Sequence, residues 1–183
     1  MNATRQQILS TAAGLFAQRG YELVGINEII AKSGVAKATF YAHFKSKENL
    51  CAEWLRTVAD QSGKSQTETL RENVSVVEKV GRQFDSLLDY VKRSDFRACP
   101  FSITASMLES TSEVREIIRD YKASSRAFWQ SLALELRKDP GEARELGDAW
   151  FLLFSGAVTE AQNARNSWPV EAAKAAAIRL AQY

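Results

Sequence analysis

Apolar residues near the start of the chain recur every three or four positions, which is the spacing of one face of an α-helix. They are Ile8, Leu9, Ala12, Leu15 and Phe16. Thr4 to Gln7 has the sequence of a capping box, in which two side chains satisfy amides of the first turn. Gly20 supplies a left-handed stop. The pattern predicts a first helix from Thr4 to about Arg19.

Two short helices are expected next, separated by a tight turn. The second apolar pattern begins at Ile26 and ends before Gly34, and the third covers residues 36–44. Phe40 and Phe44 lie on the apolar face of the third helix, where they are expected to be core residues. Ser46 is then a natural cap for a long fourth helix.

The rest of the chain repeats helix signals and offers no strand candidate. Ser75 and Asp139 stand at cap positions, and Pro100 interrupts the helical pattern. Further helices are predicted from about Ser75 to Val91 and over 101–108, 113–138, 140–164 and 169–182. The sequence thus predicts an all-α protein of about nine helices, with an amino-terminal three-helix helix-turn-helix domain (1–46) and a larger helical domain (47–183).

Composition supports a globular helical protein. Of 183 residues, 45% are apolar and 25% are charged, with only 3 Pro and 9 Gly. No apolar run approaches the ~20 residues of a membrane span, and the amino terminus lacks the pattern of a signal peptide. Cys51 and Cys99 are too few for a disulfide framework. We expect a cytoplasmic location and no membrane partner.

The net charge of +2 is unevenly distributed. Residues 1–56 hold 7 Lys/Arg and 4 Asp/Glu, whereas the remainder holds 17 and 18. The basic excess therefore lies at the amino end, where it is a modest indication of a polyanionic partner.

The segment from Lys37 to Leu50, KATFYAHFKSKENL, is the most specific motif in the chain. Together with Gly20-Tyr21 and Gly34-Val35, it makes residues 4–54 resemble the TetR family of transcriptional regulators; beyond them the resemblance is limited to helix number and layout. It implies that the amino-terminal part binds DNA. It also implies that the remainder forms a homodimer and holds a small-molecule effector.

The third helix suits an approach to DNA. Ala36 and Ala38 are small, so the backbone can come close to base edges, and Lys37 is a long donor of the kind that reads guanine. The resemblance implies phosphate contacts by four side chains that can all donate hydrogen bonds. They are Thr39, Tyr41, His43 and Lys47. The alternative for His43 is a partly buried, hydrogen-bonded histidine.

Two positions depart from the usual family pattern. Gly25 stands where Ser or Thr commonly caps the second helix, and Ala36 stands where Ser commonly caps the third. Glycine is a tolerable cap, whereas alanine has no side-chain acceptor. One phosphate contact is therefore expected to be missing at Ala36.

An effector pocket is expected among the middle helices, on the basis of the resemblance. The candidate lining residues are Phe84, Leu88, Cys99, Phe101, Thr104, Met107, Tyr121, Ser125 and Phe128. Aromatic residues at helical spacing are also ordinary core residues, and that alternative applies to most of them. Cys51 is expected to be a small core residue.

Cys99 has a second interpretation. It lies at a helix break near Arg97 and just before a helix start, two features that are typical of reactive thiols. Some TetR-like regulators resemble this arrangement and use a cysteine there to sense oxidants or electrophiles. A structural cysteine packed in the turn is the alternative.

An enzyme is not expected, because the chain has no phosphate-binding loop, no nucleophile elbow and no second histidine. No cofactor is expected, and no metal site is expected because one His and two Cys do not form a ligand set with the spacing of a zinc finger. The sequence favours a repressor that binds a palindromic operator in double-stranded DNA as a homodimer, through helices 140–164 and 169–182. A small-molecule or thiol-reactive effector would release it. The alternative is a helical adaptor protein that does not bind DNA sequence-specifically.

Overall fold

The computed structural model describes residues 3–97, 99–105 and 112–182, and in these ranges the chain forms nine α-helices and no strand. They are α1 (Ala3–Arg19), α2 (Ile26–Ser33), α3 (Lys37–His43), α4 (Lys47–Arg71), α5 (Val76–Arg93), α6 (Pro100–Ala105), α7 (Glu113–Leu134), α8 (Pro140–Ala164) and α9 (Trp168–Gln182). The prediction of an all-α fold is confirmed. No helix within these ranges is both long and apolar enough to cross a membrane.

Three helices begin at the caps that the sequence predicts. The Ser46 hydroxyl accepts a hydrogen bond from the Asn49 amide at 3.0 Å, which starts α4. Ser75 starts α5 in the same way. The Asp139 carboxylate accepts from the Glu142 amide at 2.9 Å and starts α8. Each cap satisfies one of the amides that the first turn of a helix leaves unpaired.

Several boundaries differ from the predicted ones. The fourth helix continues through Gly63 to Arg71, although glycine is an unfavourable residue in a helix interior. The seventh ends at Leu134, four residues before the predicted end. Of the predicted helix 101–108, residues 106–108 lie outside the described ranges.

The capping box predicted at the start of α1 does not form. The helix begins at Ala3, so Thr4 is already inside it. The Gln7 side-chain amide donates to the Ser33 carbonyl at 2.7 Å, which is 26 residues away. A long-range partner has replaced the local one.

The helices form two compact units. The first contains the chain up to Gln61 together with Pro100–Asp120, and the second contains Ser62–Cys99 together with the chain from Tyr121 onward. The core of the first unit includes Ile8, Phe16, Ile29, Phe40, Phe44, Leu50 and Leu55. Packing alone defines these units, so the expected functional division at residue 46 stays a prediction.

Trp129 lies in the aromatic core of the second unit. Its ring lies 5.9 Å from that of Phe84, 6.2 Å from that of Trp150 and 5.4 Å from that of Phe154, measured between ring centroids. The Trp150 indole N–H is buried and donates to the Ala177 carbonyl at 2.9 Å, which ties α8 to α9. The core therefore combines apolar burial with a satisfied polar group.

The backbones of α7 and α8 come into direct contact at Gly147. A Cβ atom at this position would lie 2.5 Å from the Gln130 Cα atom, closer than real Cβ contacts. Any larger residue would push the two helices apart.

Lys79 is a buried charge in the second unit, with 3% of its surface exposed. Its ammonium donates to the Leu70 carbonyl at 3.1 Å and to the two carboxylate oxygens of Glu135 at 3.0 and 2.9 Å. All three N–H groups of the ammonium are thus used. The contacts join the last turn of α4, the start of α5 and the residue after α7.

We expect Glu135→Gln to lower the free energy of unfolding by about 2–3 kcal/mol, because it leaves the buried Lys79 ammonium without a counter-charge. Urea denaturation at neutral pH measures the change. Glu72→Gln is the matched control, because it breaks the exposed pair with Arg82 and should cost less than about 1 kcal/mol. Equal losses in the two variants would contradict a structural role for the buried pair.

Candidate nucleic-acid interface

The turn between α2 and α3 is built on a left-handed glycine. Gly34 has φ 66°, and its amide donates to the Ala31 carbonyl at 3.2 Å. The Gln7 side chain binds the neighbouring Ser33 carbonyl, which the end of α2 would otherwise leave unpaired. The turn is thereby fixed both by its own backbone and by α1.

The third helix buries one face and exposes the other. Phe40 and Phe44 are fully buried, which confirms them as core residues. The exposed residues around this helix are Ala36, Lys37, Ala38, Tyr41, Ala42 and Lys45. Tyr41 has 42% of its surface exposed while its ring edge rests on Phe40, 5.3 Å away between centroids. The two phenylalanines therefore determine which side chains face outward.

The structure brings the sequence-predicted DNA residues to this one surface. Ala36, Lys37, Ala38 and Tyr41 are exposed, and Thr39, His43 and Lys47 are half-buried. Whether these side chains contact DNA stays a prediction.

The positive charge of this surface is not neutralised. Within the described ranges, the ammonium groups of Lys37 and Lys45 form no ion pair. Other basic side chains of the first unit are paired, at Arg5–Glu53, Arg19–Glu28 and Arg56–Glu113. Two available cations, Lys37 and Lys45, thus lie beside the exposed face of α3, where they would attract a polyanion.

Both departures from the family pattern have the expected structural result. Gly25 and Ala36 precede α2 and α3 in extended conformations, and neither provides a side-chain hydrogen bond to its helix. A helix of seven residues without a side-chain cap is marginal by itself. The burial of Phe40 and Phe44 therefore supplies the stability of α3.

Lys47, the first residue of α4, has a partner that sequence reasoning missed. Its ammonium donates to the Tyr21 carbonyl at 3.1 Å and lies 4.1 Å from the centroid of the Tyr21 ring. Burial raises the pKa of Tyr21 to about 12, and the nearby Cys51 and Glu48 add to that increase. The only sequence signal was an aromatic residue directly after the glycine that ends α1.

Cys51 is a core residue, as predicted. Its side chain is fully buried in the first unit. Burial raises the pKa of the Cys51 thiol to about 12, against a smaller opposing effect of Lys47. The thiol is therefore neutral and unreactive at physiological pH.

The residues predicted to line an effector pocket belong to both units. Phe101 and Thr104 are buried in the first unit. The second unit contains Phe84, Leu88, Cys99, Tyr121, Ser125 and Phe128. Met107 lies outside the described residues. Phe84 and Phe128 both pack against Trp129, so these two are at least core residues.

Two phenols surround Cys99 in the second unit. Burial raises the pKa of Tyr121 to about 12, with Cys99 nearby and the Ser62 side chain as a hydrogen-bond partner. Burial also raises the pKa of Tyr90, again with Cys99 nearby. The half-buried thiol thus lies near two neutral phenols, and the Arg97 guanidinium is also close to Tyr90.

The second unit also has an open polar cleft of about 330 Å³, which sequence reasoning missed. It is lined by Ser65, Glu68, Thr69, Glu72, Arg82, Gln83, Asp85, Ser86 and Asp89. None of the predicted effector residues lines it. The charged groups are separated by a full turn or more along α4 and α5, so no local motif signals the cleft.

Helices α1, α2 and α3 form a helix-turn-helix arrangement at the amino end of an all-helical fold. Residues 8–53 match the family model described as "Bacterial regulatory proteins, tetR family". A solved TetR transcriptional regulator from Legionella pneumophila superposes with a TM-score of 0.85 at 18% identity, covering 98% of this chain and 97% of that one. The amino-terminal segment is thus similar to the TetR-family model, and the fold of the chain is that of the solved regulator.

The curated proteins that the chain resembles include transcriptional regulators. The chain is 25% identical over 173 residues to the transcriptional regulator LmrA of Bacillus subtilis, covering 91% of this chain and 90% of LmrA. It is 38% identical over 56 residues to the transcriptional repressor KstR2 of Mycolicibacterium smegmatis, covering 31% of this chain and 27% of KstR2. Among the first three curated relatives, the match spans only 33–45% of their length.

Proposed function

We propose that this chain is a transcriptional repressor that binds a palindromic operator in duplex DNA as a homodimer and is released by an effector. The observation that carries the proposal is the exposed face of α3 in the segment that matches the TetR-family model, beside which Lys37 and Lys45 form no ion pair with any described residue. The relative KstR2 is itself named a repressor. The fold and the relatives are those of regulators, which are not enzymes.

In this proposal α3 enters the major groove. Ala36 and Ala38 let its backbone approach the base edges, and Lys37 donates to a base. Four side chains hold the phosphates and set the register of the helix. They are Thr39, Tyr41, His43 and Lys47.

The proposed dimer forms through α8 and α9. Leu152 of α8 is 66% exposed and Trp168 of α9 is 58% exposed, so both large apolar side chains are accessible to a partner. Gly156 and Ala172 are exposed as well, and such small residues let helices pack closely. The two DNA-binding domains of such a dimer would reach successive major grooves if they lie about 34–36 Å apart, or a multiple of that distance.

The effector is proposed to bind in the helical part, residues 47–183, with residues 1–46 as the DNA-binding domain. Phe84, Tyr121 and Ser125 represent the apolar and polar lining expected of such a site. The dimer is proposed to have two states, one in which the spacing of its DNA-binding domains fits the operator and one in which it does not. An effector that binds the second state more tightly lowers DNA affinity, and the largest decrease equals its difference in affinity for the two states. A thiol-reactive effector at Cys99 is the alternative mechanism.

Lys37→Ala should weaken operator binding and relax sequence preference at one position, because Lys37 is the proposed base-reading residue. Tyr41→Phe should weaken binding to all sequences alike, because phosphate contacts position without specifying. Selection of bound duplexes from a random pool, followed by affinity measurement, tests both. An unchanged preference in Lys37→Ala would remove its base-reading role, and no salt-dependent binding by wild type would favour the adaptor alternative.

Gly156→Leu should yield monomers with greatly reduced operator affinity. Among the described residues, a Cβ atom at Gly156 would meet nothing within 4 Å outside its own stretch of helix, so the substitution is expected to act mainly on a partner. Gly63→Leu is the matched control, because Gly63 is also helical and also has open space around its Cβ position. Sedimentation measures the oligomeric state, and a stable Gly156→Leu dimer would move the interface elsewhere.

Cys99→Ser separates the two effector mechanisms. If the thiol is the sensor, an electrophile such as N-ethylmaleimide releases DNA from wild type and leaves Cys99→Ser bound. Cys51 is buried and remains in both proteins, so it is the internal control. Equal release from both proteins would eliminate the thiol mechanism and leave a non-covalent effector.

A further inference from the structure

We infer that Tyr21 is a positioning residue for DNA binding, which holds the Lys47 ammonium where it meets a phosphate. This inference rests on the proposed function and adds a residue that lies outside α3. Tyr21 is buried and contributes two groups to Lys47, its backbone carbonyl and the face of its ring. A carbonyl and an aromatic face both attract an ammonium.

The position of Tyr21 is itself fixed by the core of the first unit. Gly20, with φ 80°, ends α1, and its amide donates to the Phe16 carbonyl at 2.8 Å. The Tyr21 ring then packs on the Phe16 ring at 5.6 Å, and Phe16 packs on Trp54 of α4 at 5.5 Å between centroids. The ring that lies under Lys47 is thus rigidly attached to both α1 and α4.

Lys47 needs such a partner because of where it stands. It is the first residue of α4, and a cation is unfavourable at the positive end of a helix dipole. A lysine side chain also loses considerable rotamer freedom when it is held in one place. The contacts with Tyr21 offset both effects before DNA arrives, so binding does not have to order the side chain again.

The ammonium keeps donors for DNA while it is held. It has three N–H groups, and the Tyr21 carbonyl accepts from one of them. Lys47 is half-buried and forms no ion pair among the described residues, so its charge is not neutralised by a carboxylate. Lys45, two residues earlier, is exposed, and among the described residues only Lys47 forms a hydrogen bond and a cation–π contact with Tyr21, which makes Lys45 the natural comparison.

A double-mutant cycle on the full-length protein tests the inference, with a fluorescein-labelled duplex of mixed sequence and about 30 base pairs as the probe. Phosphate contacts support binding to any duplex, so the operator need not be known. Lys47→Met should weaken binding and reduce the slope of log affinity against log salt by about one. Tyr21→Leu should weaken binding about three- to tenfold in wild type and not at all in the Lys47→Met background.

Two controls separate positioning from a general loss of structure. In the Lys45→Met background, Tyr21→Leu should cause the same loss as in wild type, because Lys45 does not use the ring. Tyr21→Phe keeps the ring and the carbonyl, so it should retain affinity and salt slope. Phenylalanines with increasing ring fluorination at position 21 keep the volume but weaken the ring quadrupole, and affinity should fall along that series.

The outcomes are distinguishable. An equal loss from Tyr21→Leu in the wild-type and Lys47→Met backgrounds, or no trend along the fluorinated series, would overturn the role of Tyr21 and leave the proposed function standing. Absence of salt-dependent duplex binding by wild type would overturn both. The inference is supported if the effect of Tyr21→Leu on duplex affinity disappears in the Lys47→Met background and persists in the Lys45→Met background.

Discussion

The burial of Phe40 and Phe44 is the constraint on which the candidate DNA-binding surface depends. They anchor a helix of only seven residues that has no side-chain cap, and such a helix does not persist in water by its own hydrogen bonds. Because both rings point into the core of the first unit, the rotation of α3 about its axis is set. The burial of the two phenylalanines therefore leaves Lys37, Tyr41 and Lys45 exposed to solvent.

The second unit relies on a different kind of constraint, namely close packing between long helices. The absence of a side chain at Gly147 lets α7 and α8 touch through their backbones, and the Trp129 ring of α7 lies 6.2 Å from the Trp150 ring of α8 between centroids. Lys79 adds a buried polar junction with Glu135. Such junctions are weak sources of net stability but are costly to break on one side only, so they favour one arrangement of the helices.

Features that depend on neighbouring residues were predictable from the sequence. The caps at Ser46, Ser75 and Asp139 act within one turn, and the apolar faces of α1 and α3 follow from helical spacing. The family resemblance of residues 4–54 added the likeness to known regulators. Local signals were therefore sufficient for the helices and for the exposed face of α3.

Features that depend on distant residues were not predictable. Gln7 binds the Ser33 carbonyl 26 residues away, which replaced the expected capping box. Lys47 reaches Tyr21 across the same sequence distance, and no periodicity encodes that pairing. The propensity of a single residue also failed to predict a helix end. Helix α4 continues through Gly63, although glycine has a low helix propensity.

The four tryptophans differ sharply in their surroundings, which gives the protein an intrinsic optical signal. Trp129 and Trp150 are fully buried and Trp54 is nearly so, whereas Trp168 at the start of α9 stands in solvent. Fluorescence from the single chain therefore has one component that a dissolved quencher such as iodide can reach. Any molecule that covers the start of α9 shields that component, so association there can be followed without attaching a dye.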